Sequence, residues 1–167
     1  MTKAYLGLGS NKGERISYIE TALSEISKID RTEVVKCSSV YETEPWGVKD
    51  QGDYLNSAAE INTELSAAEL LKALKEIENR IGRTVTSRWS EREIDIDLLF
   101  YGNEILNNET IHVPHNEIEN RKFVLVPMNE IAPELVHPVL KKSISELLSE
   151  TSDELQVTKF TFTKSGK

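Results

Sequence analysis

The sequence predicts an α+β fold with an antiparallel sheet, and three observations indicate it. Several stretches alternate apolar and polar residues at every second position, which is the period of a half-buried strand. Two other stretches repeat apolar residues every three or four positions, as amphipathic helices do. The stretches follow the order β-α-β-β-α-β, which is typical of a ferredoxin-like split βαβ core, and additional C-terminal strand and helix elements follow.

The N-terminal part of the chain supplies the first strand and the first helix. Residues 4–10 (AYLGLGS) form a short apolar strand that places Gly7 and Gly9 on one face. A helix is expected over residues 15–29, where four apolar residues form a single stripe. Residues 32–44 (TEVVKCSSVYETE) are predicted as the second strand.

The middle of the chain supplies the third strand and the second helix. Residues 45–53 are polar and contain glycine, which predicts a loop. Residues 54–64 form the third strand, which in this topology lies beside the first strand in the middle of the sheet. Ser66 is expected to cap the second helix, because Glu69 stands three residues later and completes a capping box. Gly82 is expected just beyond the end of that helix.

A second polar loop, residues 83–92, leads into the fourth strand of the core. That strand is REIDIDLLFYG, in which apolar residues alternate with acidic ones before the apolar run continues. Strict alternation predicts that Ile94, Ile96, Leu98 and Phe100 all face the core.

The C-terminal part adds elements to this core. Residues 121–128 (RKFVLVPM) are predicted as a further strand. Ser143 and Glu146 form another capping box, which predicts a short helix. We therefore expect one domain over residues 1–150. In the mostly polar tail, residues 151–167, the stretch VTKFTFT is compatible with a strand, but no order is predicted there.

Composition limits the classes of function and location. A chain of 167 residues can bury a core as one domain, and its net charge of −8 repels nucleic acid and anionic membranes. Cys37 is the single cysteine, so no internal disulfide forms, and no apolar run approaches the length of a membrane span. These features predict a soluble cytoplasmic protein for which neither nucleic acid nor a membrane is an expected partner. An anionic substrate would need local cations, which makes the positions of the arginines informative.

Two aspartates on one face of the fourth strand suggest a metal site. Asp95 and Asp97 are two residues apart, which puts their Cα atoms ~6.6 Å apart on the same face. Carboxylates that converge to about 4 Å repel by about 4 kcal/mol at an effective dielectric of about 20. Mg²⁺ suits such oxygen ligands and often also binds substrate phosphates, and paired carboxylates can bridge two ions. The same pattern also fits a solvated strand face.

The loop before this strand is cationic. It carries Arg83, Arg88 and Arg92 around Trp89. Arginine forms forked hydrogen bonds to phosphate oxygens, so a cationic loop beside an acidic strand suits a Mg²⁺-nucleoside triphosphate. The alternative is an ordinary loop whose arginines pair with the abundant acidic residues.

A third group of residues could bind a flat ring. Tyr54 and Asn56 share one face of the third strand, beside Gly7 and Gly9 of the first strand if the topology is right. Glycines leave a shallow slot, a tyrosine can stack on a ring, and an asparagine can both donate and accept hydrogen bonds. The alternative is a sheet surface with ordinary tyrosine packing.

Taken together, these motifs resemble the 6-hydroxymethyl-7,8-dihydropterin pyrophosphokinase family of folate biosynthesis. Six stretches occur here in the same order as in that family, over residues 3–148: GLGSNKG, YETEPWG, DYLN, the Arg–Trp loop, EREIDIDLLFYG and VPHNEIENRKFVLVP. The resemblance implies transfer of the β,γ-pyrophosphoryl group of MgATP to the hydroxymethyl oxygen of the reduced pterin, leaving AMP. It also implies two Mg²⁺ ions, held by Asp95 and Asp97.

The resemblance implies roles for individual residues as well. It implies catalytic roles for Arg83, Arg92, Asp95 and Asp97; pterin contacts from Thr43, Pro45, Tyr54, Asn56 and Phe123; and ATP contacts from Leu71, Glu78, Trp89, Arg92, His115 and Arg121.

The arginine loop departs from the family pattern at two places. TVTS follows Arg83 where many relatives have more basic residues, and Ser90-Glu91 follows Trp89 in place of Gly-Pro. These changes bear on rate and ATP affinity more than on reaction type. Without the resemblance, the residues indicate only a Mg²⁺-nucleotide enzyme. Two alternatives then stay open: a nucleotidyl transferase or cyclase, and a non-catalytic module that senses a small molecule.

Overall fold

The computed structural model describes residues 1–10, 15–43, 54–81 and 94–160. Within these ranges the chain forms eight strands and four α-helices. The strands are β1 (Thr2–Ser10), β2 (Thr32–Cys37), β3 (Tyr41–Thr43), β4 (Tyr54–Thr63), β5 (Asp95–Tyr101), β6 (Leu106–Asn107), β7 (His112–Val113) and β8 (Val157–Lys159). The helices are α1 (Arg15–Ser27), α2 (Ala67–Ile81), α3 (Lys122–Ile131) and α4 (Ile144–Glu150), with a 3₁₀ turn at Ile118–Asn120. The predicted loops at 45–53 and 83–92, and Gly82, lie outside the described residues.

A six-stranded antiparallel sheet organises the fold. Its order is β5-β1-β4-β3-β8, and β2 also pairs with β4. β1 therefore lies between β5 and β4, with Gly7 opposite both Asp97 and Ala58. The prediction that the first and third strands of the core are central neighbours is confirmed.

The predicted strand over residues 32–44 is interrupted, so that β2 and β3 are separate strands. Residues 38–40 lie opposite only residues 57–58 of β4, so one extra residue must be accommodated. The Ser38 hydroxyl accepts the N–H of Ala58 at 2.9 Å, where a backbone carbonyl would serve in a regular ladder. The N–H of Ser39 donates to the Glu130 carboxylate of α3 at 3.0 Å instead of to the ladder.

Both predicted capping boxes are confirmed. Ser66 and Glu69 exchange side-chain to backbone hydrogen bonds of 2.9 and 3.1 Å at the start of α2. Ser143 and Glu146 do the same at the start of α4. These caps satisfy N–H groups that a helix start otherwise leaves without partners.

A bulge in β5 changes which side chains face the core. Tyr5 pairs with Phe100 and Leu6 pairs with Leu98, which leaves Leu99 as the extra residue. Phe100 therefore points to the face opposite Leu98, and the prediction that both share one face is wrong. The reason is that a one-residue insertion reverses the alternation for every later residue of the strand.

The two faces of the sheet carry two separate hydrophobic cores. On one face, α1 and α2 pack on Leu6, Leu8 and Ile96, as expected for the helices of the core. On the other face, α3 and α4 pack on Tyr5 and Phe100. The added C-terminal helices thus cover the face that carries Gly7 and Gly9, and they leave part of it open.

The predicted strand over residues 121–128 is wrong, because these residues begin helix α3. Its buried residues are Leu125, Pro127, Met128 and Ile131, and three of them, Leu125, Met128 and Ile131, recur at the helical spacing of three. A short apolar run does not distinguish a strand from a buried helix, and the helical spacing is visible only when the run is extended to Ile131. Pro127 lies inside the helix and removes one backbone donor.

Part of the C-terminal tail is ordered in the sheet. Val157–Lys159 forms β8, which pairs with β3 and places Val157 opposite Thr43. None of the helices in the described ranges is both long enough and apolar enough to span a membrane.

Candidate functional site

A cavity of about 1020 Å³ opens on the sheet face that α3 partly covers. We call it the central cavity. Its floor comes from β1, β4 and β5, and its walls come from β3, the start of α3 and residues 152–155 of the tail. Gly7 and Gly9 lie in the floor, where the lack of side chains leaves room above the strand.

The two aspartates face this cavity together. Asp95 and Asp97 lie on one face of β5, opposite Gly9 and Gly7 of β1, and both line the cavity. Ile96 between them is fully buried in the opposite core, which fixes the direction of both carboxylates. The Asp97 side chain is 44% exposed, so its oxygens are accessible to a ligand.

The side chains that the structure describes suit a Mg²⁺ site that waters and substrate complete, and they do not suit a metal site built wholly from protein ligands. Within the described ranges, no group of three or more His, Cys, Asp or Glu side chains is arranged to hold a metal ion. Mg²⁺ is usually held by one or two carboxylates, and waters and substrate phosphates complete its octahedron. Asp95 and Asp97 match that pattern.

Two tertiary hydrogen bonds hold the outer edge of β5 at the aspartates. The N–H of Ile96 donates to Oε2 of Glu78 in α2 at 2.6 Å. Burial raises the pKa of the Glu78 carboxyl, although this hydrogen bond and Lys75, whose Nζ lies 3.4 Å from Oε1, both oppose the rise. On the other side of Asp97, the carbonyl of Leu99 accepts the N–H of His115 at 2.9 Å.

The Leu99 bulge thereby brings His115 to the aspartates. Its Nε2 lies 3.9 Å from Oδ1 of Asp97. Nδ1 lies 3.0 Å from the carbonyl oxygen of Asn116, and because a carbonyl only accepts, the proton belongs on Nδ1. A neutral His115 then presents a lone pair at Nε2, and a protonated one presents a donor there.

A slot for a flat polar ring lies beside the aspartates. The Nδ2 of Asn56 donates to Oγ1 of Thr43 at 3.5 Å, and both side chains are buried. A Cβ on Gly9 would lie 2.9 Å from Oδ1 of Asn56. Only glycine at this position of β1 therefore lets the Asn56 side chain of β4 keep its place. Tyr54 is opposite Thr43 in the register and also lines the cavity.

The start of α3 forms another wall of the cavity. Phe123 lies in its first turn and lines the cavity. The Arg121 guanidinium lies 6.0 Å from the centre of the Phe123 ring, at the outer limit of a cation–π contact. The central cavity thus has an acidic end at β5 and an aromatic, amide-lined end between β4 and α3.

The structure brings together most of the described residues that the sequence singled out. The cavity is lined by Thr43, Tyr54, Asn56, Asp95, Asp97, Arg121 and Phe123. Leu71 instead packs against the core on the α1 and α2 side, and Glu78 acts at the edge of β5. Pro45, Arg83, Trp89 and Arg92 lie outside the described residues.

Sequence reasoning missed one wall of the cavity. Residues 152–155 line it and belong to no motif that the sequence singled out. Glu117 and Asn120 also line it; they lie within the stretch VPHNEIENRKFVLVP, but no role was predicted for them. The sequence around Asp153 offers only a weak signal, since an aspartate in a polar stretch is common in turns.

Comparison with known proteins gives a consistent result. A family model for 7,8-dihydro-6-hydroxymethylpterin-pyrophosphokinase (HPPK) matches residues 5–133. The chain is 44% identical over 157 residues to the 2-amino-4-hydroxy-6-hydroxymethyldihydropteridine pyrophosphokinase of Haemophilus influenzae, covering 94% of this chain and 98% of that protein. It is 40% identical over 152 residues to the protein of the same name from Aquifex aeolicus, covering 91% and 94%.

Solved structures agree at the level of the fold. A crystal structure of HPPK-DHPS in complex with substrates superposes with a TM-score of 0.72 at 16% identity. The match covers 89% of this chain and 42% of that one.

Proposed function

The chain belongs to the 7,8-dihydro-6-hydroxymethylpterin-pyrophosphokinase family, and on that premise we propose that the central cavity is its active site. The reaction transfers pyrophosphate from ATP to the hydroxymethyl group of 6-hydroxymethyl-7,8-dihydropterin in folate biosynthesis. The products are AMP and the pterin diphosphate. The observation that carries the proposal is that Asp95 and Asp97 face the same cavity as Tyr54, Asn56 and Phe123.

The bond changes define what the site must do. The hydroxymethyl oxygen forms a bond to the β-phosphorus of ATP, and the bond from that phosphorus to the α,β-bridging oxygen breaks. The electron pair of the broken bond stays on AMP, and the hydroxyl proton leaves to solvent. Such transfers need little covalent help from the protein, so positioning and neutralisation of charge are its main contributions.

Asp95 and Asp97 supply the acidic end. We propose that their carboxylates hold two Mg²⁺ ions, because paired strand carboxylates with one open side match the donor set of such sites. When bound, Mg²⁺ neutralises the phosphate charge and orients the triphosphate. The hydrogen bond from Ile96 to Glu78 fixes the backbone between the two carboxylates, so Glu78 acts on the ATP side by positioning this strand.

The other end of the cavity recognises the pterin. Asn56 and Thr43 offer amide and hydroxyl groups to the ring edge, because both are buried and line the cavity. Tyr54 of β4 and Phe123 of α3 both line the cavity, and their aromatic rings are suited to stack on the two faces of the pterin. Asn56 and Thr43 are only 8% and 3% exposed, and a hydrogen bond made in such buried surroundings is stronger than the same bond in water.

The remaining predicted roles stay proposals. Arg121 lines the cavity beside Phe123, and His115 lies beside Asp97; from these positions we propose that their side chains contact phosphate or nucleotide. We keep Leu71 and Trp89 as ATP contacts, Pro45 as a pterin contact, and Arg83 and Arg92 as the arginines that stabilise the phosphates at the bridging bond.

We also make proposals on the topology of the sheet, the bounds of the domain, and the location and oligomeric state of the protein. We propose a ferredoxin-like core whose second strand is split, and the order β5-β1-β4, with β2 and β3 both on β4, supports this proposal. We propose that residues 1–150 form the single pyrophosphokinase domain, to which the tail adds β8. We further propose a cytoplasmic monomer whose partners are ATP and the pterin, with no nucleic acid or membrane.

A product assay tests the proposed reaction. Incubation with Mg²⁺, ATP and 6-hydroxymethyl-7,8-dihydropterin should give AMP and the pterin diphosphate in equal amounts, as followed by ³¹P NMR. The matched control omits the pterin and should leave ATP intact. Formation of ADP would indicate transfer of a single phosphoryl group, and release of free pyrophosphate would indicate a nucleotidyl transferase or cyclase. Either result would overturn the proposal.

A further inference from the structure

We infer that Asp153, in the segment after α4, is a positioning residue for the pterin end of the central cavity. It caps the N-terminus of α3 and thereby sets the position of Phe123. The identity of the ligand rests on the proposed function. The hydrogen bonds that define the cap do not.

Helix α3 has no cap of its own. Its N-cap residue, Arg121, is in an extended conformation and makes no side-chain capping hydrogen bond, and the first turn contains no acidic residue. The N–H of Lys122 instead donates to Oδ2 of Asp153 at 2.8 Å, across 31 residues of sequence. This bond satisfies one of the open N–H groups of the helix and places a negative charge at the positive end of its dipole.

Asp153 is itself held in place. Its Oδ1 accepts the N–H of Leu155 at 3.0 Å, and its own N–H donates to Oγ1 of Thr151 at 3.3 Å. Both carboxylate oxygens therefore have separate backbone donors, one in the tail and one in α3. A short carboxylate fits this double role, because an amide offers only one acceptor oxygen and an alanine offers none.

The capped turn carries the wall residues of the cavity. Phe123 follows Lys122 directly, and Phe123 and Val124 line the cavity. Asp153 and its tail neighbours line the cavity beside them. A change in the cap therefore acts within one residue of Phe123, the proposed stacking ring. It does not touch Asp95 and Asp97, which belong to β5.

The same segment then reaches β3, which forms another wall of the cavity. Val157 pairs with Thr43, and the N–H of Phe160 donates to the carbonyl of Val40 at 2.8 Å. The tail thus joins α3, which carries Phe123, to β3, which carries Thr43. A second tie joins the far end of α3 to β3, where Glu130 accepts the hydroxyl of Tyr41 at 2.6 Å.

Three variants of the full chain test the inference. Asp153→Ala removes both acceptor oxygens, and Asp153→Asn keeps one. Ser143→Ala is the matched control, because it removes the cap of α4, a helix without cavity residues. Steady-state kinetics gives KM for the pterin and for ATP separately, thermal unfolding gives the general loss of stability, and amide hydrogen exchange at Lys122 reports the cap itself.

We expect Asp153→Ala to raise the pterin KM by about fivefold to thirtyfold, which corresponds to loss of a helix cap contributing about 1–2 kcal/mol, with the ATP KM within twofold of the unaltered chain. Asp153→Asn should be intermediate. Ser143→Ala should lower Tm by a similar amount and leave both KM values unchanged. Exchange at Lys122 should accelerate in the Asp153 variants only. If Asp153→Ala does not fold, Asp153→Asn carries the test, with an expected rise of at least about twofold.

The contrary outcomes are distinct. A pterin KM unchanged in the Asp153 variants, or raised as much by Ser143→Ala, would overturn the inference and leave the proposed function intact. Equal rises in the pterin and ATP KM values would also overturn it. Failure of the unaltered chain to form AMP with the pterin would overturn the proposed function and this inference together.

Discussion

Replacing Gly9 with alanine should strain the floor of the central cavity, whereas the same replacement at Gly7 should not. Both glycines lie in β1 on the cavity face, two residues apart. A Cβ on Gly9 would lie 2.9 Å from Oδ1 of Asn56, closer than carbon and oxygen pack without a shift. A Cβ on Gly7 would lie 3.4 Å from Cδ1 of Leu99, at the edge of ordinary van der Waals contact with the end of a flexible side chain.

These distances set the expected size of the effect. Overpacking a well-packed site costs about 1–3 kcal/mol. Glycine to alanine at a compatible backbone position stabilises by about 0.4–1 kcal/mol, because the unfolded chain loses freedom. This second effect is common to both variants and cancels in their comparison. Gly9→Ala should therefore be less stable than Gly7→Ala by about 1–3 kcal/mol, which corresponds to about 2–12 °C in Tm for a chain of this size.

Thermal unfolding followed by circular dichroism measures the difference. Isothermal calorimetry with a pterin analogue should show weaker binding to Gly9→Ala than to the unaltered chain, because Asn56 must move from the slot. Equal Tm values for the two alanine variants would refute the packing argument. Full pterin affinity in Gly9→Ala would refute the placement of the ring beside Asn56.

Three further predictions test other parts of the structure. Asp97→Ala should lower Mg²⁺-dependent ATP turnover by about 10²- to 10³-fold with an unchanged circular dichroism spectrum, and retained activity would exclude the metal assignment. Burial lowers the pKa of His137, so the neutral ring is favoured in the folded state. The free energy of unfolding should therefore be fully maintained above the unfolded pKa of about 6.5 and fall as pH drops below it. Urea titrations at several pH values below about 6.5 should show that the free energy of unfolding depends less on pH in His137→Asn than in the unaltered chain. Asparagine is the chosen replacement because its Oδ1 can replace Nδ1 of His137, which accepts the N–H of Val139 at 3.2 Å. An equal dependence on pH in the two proteins would contradict the role of His137. Leu125→Ala in α3, where Leu125 is 0% exposed, should cost about 2–5 kcal/mol by urea unfolding, and a loss below about 1 kcal/mol would argue against its burial.

Local signals in the sequence predicted the elements that local physics determines. The capping boxes at Ser66 and Ser143 involve partners three residues away, so the pattern and its structure lie within one helical turn. The alternation of Asp95, Ile96 and Asp97 likewise predicted that both carboxylates share a face, because strand geometry alone sets that relation.

Elements that depend on distant contacts were not predictable in the same way. The Leu99 bulge is defined by pairing with β1, more than ninety residues away, and nothing in LLFY marks which residue is extra. The start of α3 has no cap of its own, so the usual signal for a helix N-terminus is missing at residue 121. Its cap, Asp153, comes from the tail, which had no predicted order.

The site shows the same division between local and tertiary information. The residue types at Asp95, Asp97 and Asn56 are enough to indicate their chemistry, because carboxylates bind Mg²⁺ and an amide both donates and accepts hydrogen bonds. The role of Glu78 at the N–H of Ile96 depends on an α2–β5 contact across 18 residues. Such supporting residues make their contribution through backbone groups, and a sequence pattern does not record which backbone group they meet.

The carboxylate pair and its ions are tested most directly by a crystal structure of the protein with Mg²⁺ and α,β-methylene-ATP, whose analogous bond cannot be cleaved. We expect ions within about 2.0–2.1 Å of oxygens from Asp95 and Asp97, with the phosphates of the analogue completing their coordination. An analogue bound with both carboxylates turned away from any ion would contradict the assignment of this cavity.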